Sequence, residues 1–94
     1  MKEELEKILK ISCEEFELSR EEALSKSQEE RIVCCRTAVV HIAKEKYGLN
    51  NKIIAEFLGM THNNVHYMNR KSKVNKYYSF VVCRIRKRIE SELK

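Results

Sequence analysis

The apolar positions of the chain recur at three- and four-residue steps along most of its length, the period of helices that turn one face to a core. From Lys2 to about Phe16 the stripe is Leu5, Ile8, Leu9, Ser12/Cys13 and Phe16, with glutamates on the other side, so the spacing predicts an amphipathic first helix. Ser19-Arg20-Glu21-Glu22 then has the form S-x-x-E. In that form a hydroxyl and a carboxylate each satisfy a free amide at a helix start, and a short helix to Leu24 is expected. Ser27-Gln28-Glu29-Glu30 repeats the form and is expected to open the longest helix, which runs to Tyr47 and is stopped by Gly48. The core stripe of that helix is Ile32, Cys35, Val39, Ile42 and Ala43, which leaves Arg31, Arg36, Lys44 and Lys46 mostly off it.

After Leu49 the Asn50-Asn51 pair offers an N-cap for a helix that ends at Gly59, and Thr61 caps the next one. Within Ile54 to Arg70, IAEFLGMTHNNVHYMNR, Ala55 sits where two helices must approach closely, and Gly59 sits where the turn needs positive φ. Val65 and Met68 return to the core, and Ile54, Leu58 and Met60 complete the buried side. This is the spacing of a helix-turn-helix DNA reader over about residues 51–71, in which the second helix is held out at an angle. It holds out Thr61, His62, Asn63, His66, Tyr67 and Arg70. Val65 and Met68 are therefore expected to be buried, and His62, Asn63 and His66 exposed on one face. The alternative is an ordinary helical hairpin in a bundle.

Beyond Arg70, Val74, Tyr78, Val81/Val82, Ile85, Ile89 and Leu93 again keep helical spacing. A closing helix, or a bent pair, is expected there, with Arg84, Arg86, Lys87 and Arg88 on its outer face.

Composition narrows the fold to one class. Ninety-four residues make one domain, 43% hydrophobic content is enough for a small core, and the absence of proline with only two glycines leaves little punctuation for hairpins. The expected architecture is a single all-α domain over residues 1–94, a small bundle of about six helices without strands.

Charge adds a polarity that the net value of +5 conceals. Residues 1–30 carry 5 Lys/Arg against 10 Asp/Glu, whereas residues 31–94 carry 14 against 4. Such a division fits a polyanion-binding face; solvated helix surfaces are the plainer explanation of the C-terminal run.

Other chemistries find little purchase. The four cysteines include no C-x-x-C pair, so buried thiols in a reducing cytoplasm are expected rather than a disulfide or a metal site. His62 and His66 have the i, i+4 spacing of a metal pair, but no third ligand stands nearby in sequence. His41 reads as a packed or half-exposed structural histidine. The charged N-terminus does not read as a signal peptide, so none is expected, and no apolar run approaches the ~20 residues that span a membrane. A soluble cytoplasmic chain is expected. There is no G-x-x-x-x-G-K-[ST] loop, so no nucleotide cofactor or ATP hydrolysis is expected.

From about Leu5 to Ile89 the order of segments resembles the C-terminal DNA-binding domain of the bacterial replication initiator DnaA, a six-helix fold related to the Trp repressor. The residues that carry the likeness are Leu24-Ser25-Lys26 before the long helix, Arg36 within it, and Ala43-Lys44-Glu45 near its end. They continue with Gly59, His62, Asn63-Asn64, Val65 and Arg70-Lys71. The resemblance implies that His62, Asn63 and Asn64 reach base edges in the major groove and that Arg36 contacts phosphate. It also implies a minor-groove loop just before the long helix. There Lys26 is kept, while Ser27, Gln28, Glu29 and Glu30 replace the family's arginine-rich stretch. The turn is about one residue shorter, and Met60-Thr61 stand where the family usually has Arg-Asp.

The side-chain chemistry suits such a surface. Asn pairs bidentately with adenine N6 and N7, Arg with guanine O6 and N7, and amides at the start of the recognition helix hold phosphate. Surrounding Lys and Arg, Lys71 among them, supply sequence-independent affinity. The leading expectation is therefore sequence-specific binding of double-stranded DNA, without catalysis. The alternatives are a protein-interaction adaptor or transcriptional regulator on the same scaffold, its acidic first helix recruiting a protein partner, and a small helical enzyme with a basic pocket for an anionic metabolite. Capping or solvated roles for Asn63 and Asn64, and helix packing for Tyr67, are the plainer readings of those residues.

Overall fold

Among the described residues four helices pack on a central one, and a further helix lies against one of those four. The computed structural model describes residues 2–25, 29–70 and 79–93, and among these there are six helices and no strand. They are α1 (Lys2–Phe16), α2 (Arg20–Leu24), α3 (Glu30–Tyr47), α4 (Asn51–Leu58), α5 (His62–Arg70) and α6 (Ser79–Leu93). α3 packs against α1, α2, α4 and α5, while α6 lies along α1.

That central position explains where the simple stripe expected for α3 fails. Every residue from Cys34 to Val40 is buried, with Ile32, Ile42 and Ala43. A helix wrapped on several sides has little solvent face over its middle turns to give to polar residues. Thr37 copes by donating its hydroxyl to the Val33 carbonyl at 2.8 Å. Arg36, expected off the core stripe, is instead only 8% exposed, and burial pushes its guanidinium pKa down.

The helix ends follow from local chemistry. Ser19 accepts a hydrogen bond from the Glu22 amide at 3.0 Å, and Glu22 Oε1 accepts one from the Ser19 amide at 3.0 Å, so the first capping box forms as expected. The second does not open α3. That helix starts at Glu30 behind Glu29, whose side chain makes no capping bond, and Ser27 and Gln28 lie outside the described residues. A glutamate is a poor cap because its longer arm does not place a carboxylate over the free amides as Ser or Asp does. α3 stops at Gly48 with φ +62°, and Leu49 turns back to donate to the Ala43 carbonyl at 3.3 Å. α1 closes without glycine: Glu17 takes φ +57° and the Leu18 amide reaches back to the Cys13 carbonyl at 2.9 Å. The helix ends at Phe16, where the apolar spacing put it, although a left-handed glutamate gives no composition signal for the turn.

The core joins Leu5, Ile8, Leu9 and Phe16 of α1 to the α3 residues, to Ile54 and Leu58 of α4, and to Val81, Val82, Ile85 and Ile89 of α6. Three cysteines belong to this core; Cys83, expected with them, is exposed. Its helix face lies one step beyond the Val82–Ile85–Ile89 stripe, so it turns outward. Val74 and Tyr78 lie outside the described residues.

The acidic and basic parts of the chain meet in ion pairs across the surface of the fold. Arg88 binds Glu14 at 2.7 Å and Glu15 at 2.9 Å, Arg84 binds Glu15 at 3.0 Å, and Lys7 stands 3.6 Å from Glu92. Arg86 binds Glu45 at 3.0 Å, and Lys46 pairs with Glu90. Much of the positive run on α6 is therefore offset by the α1 and α3 carboxylates.

Candidate nucleic-acid interface

α4, the turn at 59–61 and α5 form the surface on which the expected contacts fall. Asn50 caps α4 by accepting from the Ile53 amide at 2.9 Å, and Ile54, Ala55 and Leu58 then bury the inner side of the helix. At the far end Gly59 takes φ +67°, and the Met60 amide donates to the Ala55 carbonyl at 2.9 Å. A side chain there would be strained by the backbone rather than by neighbours, because a Cβ would meet nothing within 4 Å. Met60 is half-buried against the core.

Thr61 restarts the helix. Its hydroxyl oxygen accepts from the Asn64 amide at 3.1 Å, and its carbonyl accepts from Val65 at 3.2 Å. Val65 is fully buried and anchors α5, whereas Thr61, His62, Asn63, Asn64 and His66 are all exposed. On a helix, positions 62, 63 and 66 fall within about 100° of one another, with Asn63 turned farthest from the anchor. The exposure expected of His62, Asn63 and His66 is met, and Thr61 and Asn64 are exposed at the same end of α5.

Others are placed differently. Arg36 is buried within α3, with little area to offer a phosphate. Lys26 and Lys71 lie outside the described residues, as do the side chains of Tyr67, Met68 and Arg70.

Two polar residues join the surface that sequence reasoning did not assign to it. Lys44 Nζ donates to Asn51 Oδ1 at 2.6 Å, and Asn51 Nδ2 faces His66 Nδ1 at 3.5 Å. The track thus runs from α3 through the first turn of α4 to α5. Lys44 continues on its other side into an open recess of about 350 Å³ that His41, Glu45 and Arg86 also line. The Lys44–Asn51 pairing bridges the break at Gly48, where helical periodicity stops, so no spacing rule connects the two residues.

The arrangement offers amide, imidazole and hydroxyl groups on a projecting helix, with ammonium groups at Lys44 and the exposed Lys52 beside it. It holds no evident metal site: among the described residues no three His, Cys, Asp or Glu side chains converge. Among the same residues, no helix is long and apolar enough to cross a membrane. No family model, curated protein or solved structure matches the chain.

Proposed function

We propose that this protein binds double-stranded DNA in a sequence-specific manner through a helix-turn-helix formed by α4 and α5, and that it is a binding module, not an enzyme. The observation that carries the reading is the anchoring of α5 by fully buried Val65 while His62, Asn63, Asn64 and His66 stand exposed. A helix fixed on one side and lined on the other with short hydrogen-bonding side chains suits insertion into a major groove. His62, Asn63, Asn64 and His66 would meet base edges, and Thr61 with the first amides of α5 would meet phosphate. Lys44 and Lys52 take the phosphate-holding part once expected of Arg36. Tyr67, Arg70, Lys71 and Lys26 remain part of the proposed contact set on the strength of the sequence. The resemblance to the origin-binding domain of DnaA suggests a place in replication initiation or its regulation in the cytoplasm.

The test is selection of bound duplexes from a random DNA pool. Enrichment of one motif, with log affinity falling linearly against log salt, is the expected outcome. Absence of enrichment at low salt would overturn the reading.

One observation favours a second reading. The α6 arginines are engaged by carboxylates of α1 and α3, which weakens the polyanion argument drawn from charge. A protein-interaction adaptor or transcriptional regulator using the same scaffold needs no such excess.

A further inference from the structure

The arginines of α6 leave the helix along two edges. Successive helix positions turn by about 100°, so positions 84 and 88 lie within about 40° of each other and position 86 points to nearly the opposite side. The first edge is well supplied with carboxylates from α1: Arg88 binds both Glu14 and Glu15, and Arg84 binds Glu15 as well. The second edge meets α3. There, among the described residues, Arg86 makes a single hydrogen bond, from Nε to Glu45 Oε2 at 3.0 Å, which leaves the terminal amino groups of its guanidinium available.

Arg86 and Glu45 border the open recess of about 350 Å³, with Lys44 and His41. An ammonium has three protons, and Lys44 gives one to Asn51, so two remain. With Lys44 and Arg86 positive, Glu45 negative and His41 neutral, the lining carries an excess of one positive charge. The Glu45–Arg86 pair does not cancel the attraction for an anion. The two side chains are 52% and 36% exposed, and pairs so open to water contribute little. A guanidinium that keeps Nε on a carboxylate can still offer its terminal amino groups to a phosphate, in bonds strengthened by charge on both partners. The recess also adjoins the proposed interface, because Lys44 belongs both to it and to the track through Asn51 to His66.

We infer that this recess is a seat for one backbone phosphate of double-stranded DNA, held between Lys44 Nζ and the terminal amino groups of Arg86. The inference rests on the duplex binding proposed above and adds α6 to the contact surface. A phosphodiester carries one negative charge, which matches the excess in the lining. Glu45 sets the strength of the seat, since its carboxylate steadies Arg86 and repels the incoming phosphate. Phosphate contacts fix register without reading sequence, so the seat positions the duplex while α5 reads it.

Three variants and a modified duplex test the seat. Arg86→Gln should weaken binding severalfold on specific and random duplexes alike, and the slope of log affinity against log salt should become shallower by about 0.9. Glu45→Gln should tighten binding severalfold. Arg84→Gln removes the same charge from the other edge of α6 and should change affinity far less. An uncharged methylphosphonate, placed at one backbone position after another, should weaken the parent at the seated phosphate and leave Arg86→Gln unaffected at that position. A misfolded Arg86→Gln, detected by circular dichroism, could not imitate the gain from Glu45→Gln, so that variant carries the test by itself. If Arg86→Gln only matches Arg84→Gln and Glu45→Gln gains nothing, the seat is refuted while a parent that still selects a motif keeps the duplex reading. A parent that binds no duplex removes both. Amide resonances of the recess that move with inorganic phosphate but not with the duplex would assign the site to a small ligand and overturn the inference.

Discussion

Lys44 donates to Asn51 Oδ1 at 2.6 Å and so decides which end of that amide faces His66. An ammonium group has only protons to give, so it holds the oxygen, and the amide NH2 is left toward the imidazole Nδ1. Nδ1 is then an acceptor, and the neutral ring carries its proton on Nε2. The expected outcome is a nitrogen-15 spectrum of the neutral His66 ring in the Nε2–H form, and a mixture of tautomers in Lys44→Met. A parent spectrum dominated by the Nδ1–H form would show that Asn51 does not orient the ring. Within the proposed function, Nε2–H faces outward as a donor and favours base-edge acceptors such as purine N7 or guanine O6.

Asn63 is exposed beside the buried anchor Val65, and its side chain is proposed to read a base. Asn63→Ala should cost about 1–3 kcal/mol on the best duplex and little on random DNA. Titrations on both duplexes at several salt concentrations measure the difference. Equal losses on the two would place α5 outside the major groove.

Arg36 is expected to act on the fold instead of on phosphate. Its side chain fills core volume around α3, so Arg36→Ala should lower stability by about 1–3 kcal/mol through lost packing. The urea midpoint should fall with the slope of the transition unchanged. The salt dependence of DNA binding should stay as it is. Unaltered stability with a salt slope reduced by about 0.9 would instead mean that the guanidinium neutralises a phosphate.

The capping box at α2 carries a pH signature. The Glu22 carboxyl is held below the usual carboxylate range, first because it accepts the Ser19 amide. A depressed folded-state pKa means that the bond contributes fully above the ordinary glutamate value and is lost as pH falls through the lowered one. The urea midpoints of the parent and Glu22→Gln should therefore differ near neutrality and converge in acid. A gap that widens in acid would reverse the sign. Ser19→Ala, which removes the other half of the box, should cost about 1 kcal/mol.

Local signals were legible along most of the chain. The capping residues Ser19, Asn50 and Thr61, the stops at Gly48 and Gly59, and the buried position of Val65 all follow from rules that act within one helical turn. What the pattern of residues did not disclose depends on neighbours far along the chain. Arg36 looked like a surface charge because one stripe was sought on α3, and only packing on several sides removes its solvent. The acidic start and basic end looked like separate surfaces until α1 and α6 came together. The Lys44–Asn51–His66 track needs three helices in place before any of its members can meet.

The pairing of α1 with α6 also has a meaning for the order of assembly. These are the outermost helices along this sequence, so their contact closes a loop that spans nearly the whole chain, from Lys7 to Glu92. Chains emerge from synthesis N-terminus first, and a contact of such separation cannot form until its last member has appeared. Until then the face of α1 that receives α6 has no partner from this chain, although α1 can already rest on α3. Completion of the core thus waits for α6 to emerge, and a chain interrupted before Val81 would present nascent apolar surface to chaperones and proteases.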